Sequence, residues 1–307
     1  MKILLTGSGG MVGRNILENP LAQNFNFLTP KSTELNLLNS DEVGRYFKLH
    51  KPNIVIHCAG LVGGIQANMK EPVRFLVENI DIGKNVVLAA RASGVERFIN
   101  MASSCMYPKD HDGLLEEDLI LKGPLEPTNE GYALAKIMTM RLGQYINKES
   151  QNVIFKTLVP CNLYGRWDKF GEQNSHMIPA VIRKIDIANK EKKESVEVWG
   201  TGNARREFMY AADLADFVFY SLSNWEKIPE IINVGSGVDY SINEYYHTVA
   251  RVLGYKGVFH HDLTKPEGMK RKFVSTKKCD ELGWKAKTIL EDGIKKAYEF
   301  YIEKETI

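Results

Sequence analysis

Residues 2–15 read KILLTGSGGMVGRN. A short apolar run ends at Thr6, and Gly7, Gly10 and Gly13 follow at the spacing GxxGxxG as a helical pattern begins near Met11. In the order strand, turn, helix, such glycines permit a tight turn and a close backbone approach. The helix start then offers free N–H groups and a partial positive charge to a diphosphate. The stretch therefore predicts a dinucleotide site at the opening of a βαβ unit, with Met11 and Val12 on the same turn as the glycines.

Outward from this stretch the alternation continues. NFNFLTP (24–30), NIVIHCAG (53–60), RFINMASS (97–104) and NVIFKTLVP (152–160) are short apolar runs. Amphipathic segments such as NSDEVGRYFKLH (39–50) and PVRFLVENIDIGKNVVLAARASG (72–94) separate them. This pattern predicts an α/β protein, a Rossmann-type doubly wound parallel sheet with helices on both faces. After Leu163 the pattern turns irregular. SVEVWGTG (195–202) reads as a lone strand, and EIINVGSG (230–237) as a last strand of the main sheet. We expect a nucleotide-binding domain over 1–163, rejoined by the chain near 207–236, and a smaller C-terminal α/β substrate domain over 164–307.

The 307 residues suffice for a sizeable core, and a formal charge of +2 gives no global field for nucleic acid or a membrane surface. Cys58, Cys105, Cys161 and Cys279 are widely spaced with no metal-ligand pattern. They predict a reduced, cytoplasmic protein without a bound metal. The N-terminus runs straight into glycines, unlike a signal peptide. No apolar run approaches the roughly 20 residues that span a bilayer.

An NAD site usually places an acidic residue at the end of the second strand. Here that strand ends FLTPKSTELN (27–36), where the first acidic residue, Glu34, comes too late. Thr29, Lys31 and Ser32 are available to a 2′-phosphate, so NADP(H) is the expected cofactor. Asn36 and Leu37 are candidate adenine contacts. Ala59 and Gly60, closing the third strand, complete that side of the cofactor set.

NEGYALAKIMTMRLGQY (129–145) reads as a helix with Leu134, Met138, Leu142 and Tyr145 on one face. Tyr132 and Lys136 stand one turn apart on a common face. A free phenol has a pKa of about 10, and a nearby ammonium lowers it, so the tyrosine can protonate an alkoxide as hydride reaches a carbonyl carbon. Ser103, where a strand ends in ASSC, supplies a hydroxyl for the same carbonyl.

The ordered set of glycine turn, strand-end serine and YxxxK resembles the short-chain dehydrogenase/reductase superfamily. Longer stretches are similar to the GDP-L-fucose synthase family across nearly the whole chain: LVGGIQAN (61–68), SSCMYPK (103–109), LEPTNEGYALAK (125–136), NLYG (162–165), NSHMIPA (174–180), VWGTGNARREF (198–208) and KPEGMKRK (265–272). The resemblance implies 3,5-epimerisation and NADPH reduction at C4 of GDP-4-keto-6-deoxy-mannose. It implies a base at Cys105 and an acid at His176, with Ser103, Tyr132 and Lys136 as the reductase set. It places Pro160, Asn162, Leu163 and His176 beside the nicotinamide. Asn174, Lys184, Trp199, Arg206 and Glu267 face the GDP-sugar. It also implies a homodimer formed through helices of the nucleotide domain, and a setting in capsule or lipopolysaccharide sugar supply.

The chain departs from that family at four places. Gly9 and Ser32 stand where the family has basic residues, Leu61 where it has lysine, and Lys184 where it usually has arginine. NADP preference then rests on Lys31 and Arg14. The departures open an alternative: a C4 reductase without epimerase action on a related GDP-4-keto sugar such as a deoxyheptose.

Overall fold

In a computed structural model, which describes residues 1–150, 154–171, 175–265 and 268–305, the glycine stretch joins strand β1 (Lys2–Thr6) to helix α1 (Met11–Glu18). The chain continues through β2 (Asn26–Leu28), α2 (Ser40–His50), β3 (Ile54–His57), α3 (Ile65–Lys70), α4 (Pro72–Ala92), β4 (Arg97–Met101), α5 (Glu130–Ser150) and β5 (Phe155–Pro160). Then come β6 (Asn162–Tyr164), α6 (Met177–Lys190), β7 (Ser195–Trp199), β8 (Arg205–Tyr210), α7 (Ala211–Ser223), β9 (Ile231–Val234), β10 (Asp239–Ser241), α8 (Ile242–Leu253), β11 (Val258–Asp262), β12 (Arg271–Lys272), α9 (Lys277–Glu281) and α10 (Leu290–Glu305).

Among the described residues the main sheet has six parallel strands in the order β2-β1-β3-β4-β5-β9. The strand order reverses at β1, so a crevice opens at the carboxyl ends of the strands beside Gly7. Side chains alternate across the sheet. Ile3 and Leu5 pack with Ile16 of α1 and Phe217 and Val218 of α7. Leu4 packs on the other face with Val43 and Phe47 of α2 and Val86 and Val87 of α4. Burial on both faces explains why these strands read as continuous apolar runs.

Past β6 a smaller sheet forms, in the order β10-β8-β12 with β6 also paired to β8. SVEVWGTG is not a lone strand. It forms β7, which pairs in parallel with β11 from Val258↔Ser195 to Asp262↔Trp199. The partner, VFHHD, carries too many polar groups to read as a strand, and the buried Val196 and Val198 supply the apolar side of the pair.

In α5 the stripe of Leu134, Met138, Leu142 and Tyr145 is not the most buried face. Leu134 and Tyr145 are exposed, while Ala133, Ala135, Ile137, Met140 and Gly143 are buried. The inner face is built from small residues because α4 and α5 run close together. A Cβ added at Gly83 would lie 2.1 Å from Thr139 Oγ1.

The glycine turn divides its labour. Gly7 sits in the left-handed region at φ 71°, and a Cβ there would lie 2.7 Å from Ala59 N. Gly10 N donates to Gly7 O at 3.0 Å. A Cβ at Gly13 would lie 2.4 Å from Gly7 O, whereas one at Gly9 meets nothing within 4 Å. Gly13→Ala should therefore destabilise the fold by about 1–3 kcal/mol through backbone overpacking and weaken cofactor binding, while Gly9→Ala leaves both unchanged. Thermal unfolding and nucleotide titration of the two variants check this.

Candidate active site

β4 ends at Met101, and its next residues turn across the carboxyl edge of the sheet. Ser103 starts a short 3-10 turn over Ser104–Met106 and accepts from the Cys105 N–H at 3.4 Å. That turn buries the Cys105 thiol while leaving Ser103 half-buried. α5 packs against the same turn. Its Lys136 is buried, and Nζ donates to Met101 O at 3.0 Å. Nζ also lies 5.6 Å from the centre of the Tyr132 ring. The loop after β3 comes close, since a Cβ at Gly60 would stand 3.6 Å from the Lys136 Nζ. Asn79 of α4 fixes that loop, accepting from Leu61 N at 2.9 Å and donating to Leu61 O at 3.1 Å.

The structure thus brings Ser103, Cys105, Tyr132 and Lys136 together. Their protonation departs from the sequence expectation. Burial raises the Tyr132 phenol, and Cys105 raises it further. The ammonium does not lower it here, because Lys136 is itself desolvated and bonded to the Met101 carbonyl. Burial likewise raises the Cys105 thiol, opposed by Lys272, Ser103 and Lys136 in that order. The cation expected near the thiol is therefore present, and it is chiefly Lys272. Sequence reasoning quoted the segment holding Lys272 without singling the residue out. The register of β12 with β8, which sets Lys272 opposite Arg206, is the missing information. At the foot of the crevice, burial and then Lys136 hold the His57 imidazole down to about 3. It stays neutral and shares a 2.7 Å hydrogen bond with Thr6 Oγ1.

His176 stands apart from this group. It is the residue preceding α6, half-exposed, and its Nδ1 lies 3.2 Å from Asp168 Oδ1. It makes no hydrogen bond to Ser103, Cys105, Tyr132 or Lys136 among the described residues. Pro160, Asn162 and Leu163 run from the end of β5 into β6, and Asn162 Nδ2 donates to Glu207 O at 2.8 Å.

The candidate GDP-sugar residues fall into two groups. Lys184 Nζ donates to Glu197 O at 2.6 Å, and Trp199 Nε1 to Glu197 Oε1 at 2.8 Å. Trp199 keeps half of its surface open, with Lys265 5.6 Å from its ring centre. Arg206 pairs in register with Lys272, and burial lowers the pKa of both cations. Neither meets a carboxylate within hydrogen-bond distance among the described residues. Asn174 and Glu267 lie outside the described residues.

On the cofactor side, the cradle around Gly7 and Gly13 has no room for side chains, and α1 presents its N-terminus behind it. A diphosphate fits this arrangement. Met11 and Val12 are half-buried at the first turn of α1, and Ala59 and Gly60 line the facing loop. Lys31, Ser32 and Asn36 are exposed past β2, and the Glu34 carboxylate is engaged by the Lys31 N–H at 2.7 Å. Leu37 is held through its carbonyl by Asn85 at 2.9 Å. All four cysteines are free. Among the described residues there is no cluster of metal-ligating side chains, and no helix is long and apolar enough to cross a membrane.

A parallel sheet with a glycine turn at its switch point and a Tyr/Lys pair beside a strand-end serine is the framework of a dinucleotide-dependent enzyme acting at a carbonyl. The chain belongs to the NAD dependent epimerase/dehydratase family, whose model matches residues 3–235. It is 54% identical over 304 residues to a GDP-L-colitose synthase of Yersinia pseudotuberculosis, covering 99% of each chain. It is 45% identical to a GDP-L-fucose synthase of Azorhizobium caulinodans, covering 98% of this chain and 96% of that one. Among solved structures it is similar to the GDP-mannoheptose C4 reductase of Campylobacter jejuni with NADP bound, at 32% identity and a TM-score of 0.89, covering 98% of each chain. The chain thus sits within a group of GDP-sugar C4 reductases and epimerases.

Tyr132→Phe should lower hydride transfer at least about 100-fold, the scale of a lost general acid, with nucleotide affinity nearly intact. Stopped-flow NADPH oxidation alongside fluorescence titration of NADPH separates the two. Loss of NADPH binding in that variant would assign Tyr132 to the cofactor instead.

Proposed function

We propose that this protein inverts a carbon next to the ketone of a GDP-linked 4-keto-6-deoxy-hexose and then reduces that ketone at C4 with NADPH. The observation that carries the reading is the placement of the buried Cys105 beside Ser103, Tyr132 and Lys136 at the end of β4. A reductase alone needs the last three. The thiol adds a proton acceptor at the same carbonyl.

In this mechanism the Ser103 hydroxyl and the Tyr132 phenol hold the C4 oxygen. The ketone acidifies the neighbouring C–H bond. Cys105, whose thiolate form Lys272 and Lys136 favour against the burial that raises its pKa, takes that proton from one face. His176 returns a proton to the other face. The dinucleotide, held at Gly7, Gly10 and Gly13, supplies hydride when bound. Tyr132 then gives its proton to the C4 oxygen, and Lys136, 5.6 Å from its ring centre, lies beside the phenolate left behind. Trp199 offers an open ring to the base, and Arg206 and Lys184 offer donors to the diphosphate. Lys31 and Ser32, exposed past β2, support NADP over NAD, as does the NADP-bound relative. The exposed Val73, Val77, Leu88, Leu134 and Tyr145 on α4 and α5 support a homodimer.

A second reading concerns the sugar. Colitose is fucose lacking the 3-hydroxyl, so its C3 has no configuration to invert, and inversion would be confined to C5. Identity of 54% to a colitose synthase and the apolar Leu61 in place of the family's lysine favour it.

The test is solvent exchange in deuterated water without NADPH, followed by NMR on GDP-4-keto-6-deoxy-mannose and on its 3-deoxy counterpart. Deuterium entering C3 and C5 of the first substrate supports the fucose-forming reading. Efficient C5 exchange only in the second supports the colitose-forming one. No exchange in either, with NADPH still oxidised, would reduce the enzyme to a C4 reductase. Cys105→Ser should stop exchange while sparing part of the reduction, and normal exchange in that variant would return Cys105 to packing.

A further inference from the structure

Asp168 has not been assigned a role above, and its setting asks for one. Its carboxylate side chain is only 3% exposed. One oxygen, Oδ1, meets His176 Nδ1 at 3.2 Å and the Lys169 N–H at 2.8 Å. The other, Oδ2, is buried without a hydrogen-bond partner among the described residues. A buried carboxylate oxygen left unpaired is costly and is retained where the charge has a use.

The loop around it is held under tension and from outside. Trp167, the residue before, lies in the left-handed region at φ 67°, which a bulky side chain rarely adopts. Its Nε1 donates to Glu18 Oε1 at 2.7 Å, and Arg14 stacks over its ring at 4.8 Å. Asn15 Nδ2 donates to Arg166 O at 3.1 Å. Three residues of α1, Arg14, Asn15 and Glu18, thus fix the turn that aims Asp168 at His176.

His176 stands at the amino end of α6, where the helix dipole disfavours a cation. Lys169 opposes a positive imidazole as well. Asp168 is the one group among the described residues whose charge favours it, through the hydrogen bond and then through space, and the ring's pKa is raised above its ordinary value.

We infer that Asp168 is the positioning residue for His176: it fixes the ring with hydrogen on Nδ1 and holds it as imidazolium, so that Nε2 is the atom that delivers a proton. The inference rests on the epimerase reading for the destination of that proton. A carboxylate can only accept, so Nδ1 carries the hydrogen it shares with Asp168. The proton leaving Nε2 forms the new C–H bond on the enolate carbon and leaves a neutral, Nδ1-protonated imidazole. Solvent reprotonates Nε2 for the next turnover. Since only the cationic ring is competent, epimerisation should fall as pH rises through the His176 pKa.

The test pairs a readout on the free protein with one on the reaction. NMR titration of His176 in wild type, Asp168→Asn and Asp168→Glu needs no substrate. We expect the asparagine variant to titrate lower by about one pH unit, the scale of a lost adjacent opposite charge, and the glutamate variant to stay near wild type. Nitrogen-15 shifts of the neutral wild-type ring should report the Nδ1–H tautomer, which tests the pairing even if the asparagine variant does not fold. In the C5 exchange assay, the alkaline limb of Asp168→Asn should move down by the same amount, with exchange at neutral pH reduced at least tenfold. An unmoved His176 pKa, an Nε2–H tautomer, or an unmoved limb overturns the inference. A shifted pKa in an enzyme that exchanges no GDP-4-keto sugar would leave the pair intact and count against the proposed substrate instead.

Discussion

One buried ammonium fixes the geometry of the crevice. Lys136 is desolvated on the inner face of α5, and its bond to the Met101 carbonyl ties that helix to the very end of β4. Stripping an ammonium of water is costly, and the carbonyl and the two nearby thiols, Cys105 and Cys58, offset part of that cost. The bond requires α5 to lie close to the sheet edge, which the small residues Ala133 and Ala135 allow. Tyr132, one turn earlier, is then carried over the same carbonyl end. The neutral His57 beneath follows from its own burial, reinforced by the charge of Lys136.

A second constraint sorts the basic residues of the smaller sheet. Arg205 and Arg271 both bond Asp239, at 3.1 and 2.6 Å, and so cross-link β8, β10 and β12. Their chain neighbours Arg206 and Lys272 project from the opposite side of the strands, as alternation demands. Glu207 holds the far end of this sheet, accepting from Gly237 N at 2.9 Å, Val274 N at 3.1 Å and Ser236 Oγ at 3.2 Å. Burial lifts its pKa to about 7 even so. The structural charges are thus neutralised by one another, while Arg206 and Lys272 remain available to the cleft. From there the Lys272 charge opposes the burial that raises the Cys105 thiol, so the smaller sheet contributes a cation to the end of β4.

The parts of this architecture legible in the sequence are those set by local pattern. The glycine turn, the run of buried strands and the Tyr132–Lys136 spacing all follow from steric or periodic rules acting within a few residues. What escaped was set by pairing between distant segments. VFHHD is a strand only because β7 lies beside it. Lys272 matters only because β12 falls in register with β8. Asp168 matters only because a strained Trp167 turns it inward. In α5, packed closely on its neighbour, alanine and glycine are buried beside Ile137 and Met140, which helical spacing alone does not reveal. The direction of the Tyr132 shift was misjudged because spacing along a helix reveals proximity to an ammonium and says nothing of how far both groups are desolvated.

The desolvation of this site bears on how two reactions could share it. Burial pushes the thiol and the phenol up and the ammonium down, so each group is driven toward its neutral form. In such surroundings a negative charge on the sugar oxygen interacts strongly with any donor aimed at it. Under the proposed mechanism, Ser103 and Tyr132 meet that oxygen in both reactions. As an enolate oxygen, it is stabilised by their hydrogen bonds; as an alkoxide, it receives the Tyr132 proton. Cys105 and His176 act only on carbon. The two activities are therefore nested, with inversion depending on the reductase donors and reduction independent of the carbon acid–base pair. A chain that keeps Ser103, Tyr132 and Lys136 while losing Cys105 or the Asp168–His176 pair would remain a reductase, whereas loss of Ser103 or Tyr132 would weaken both reactions.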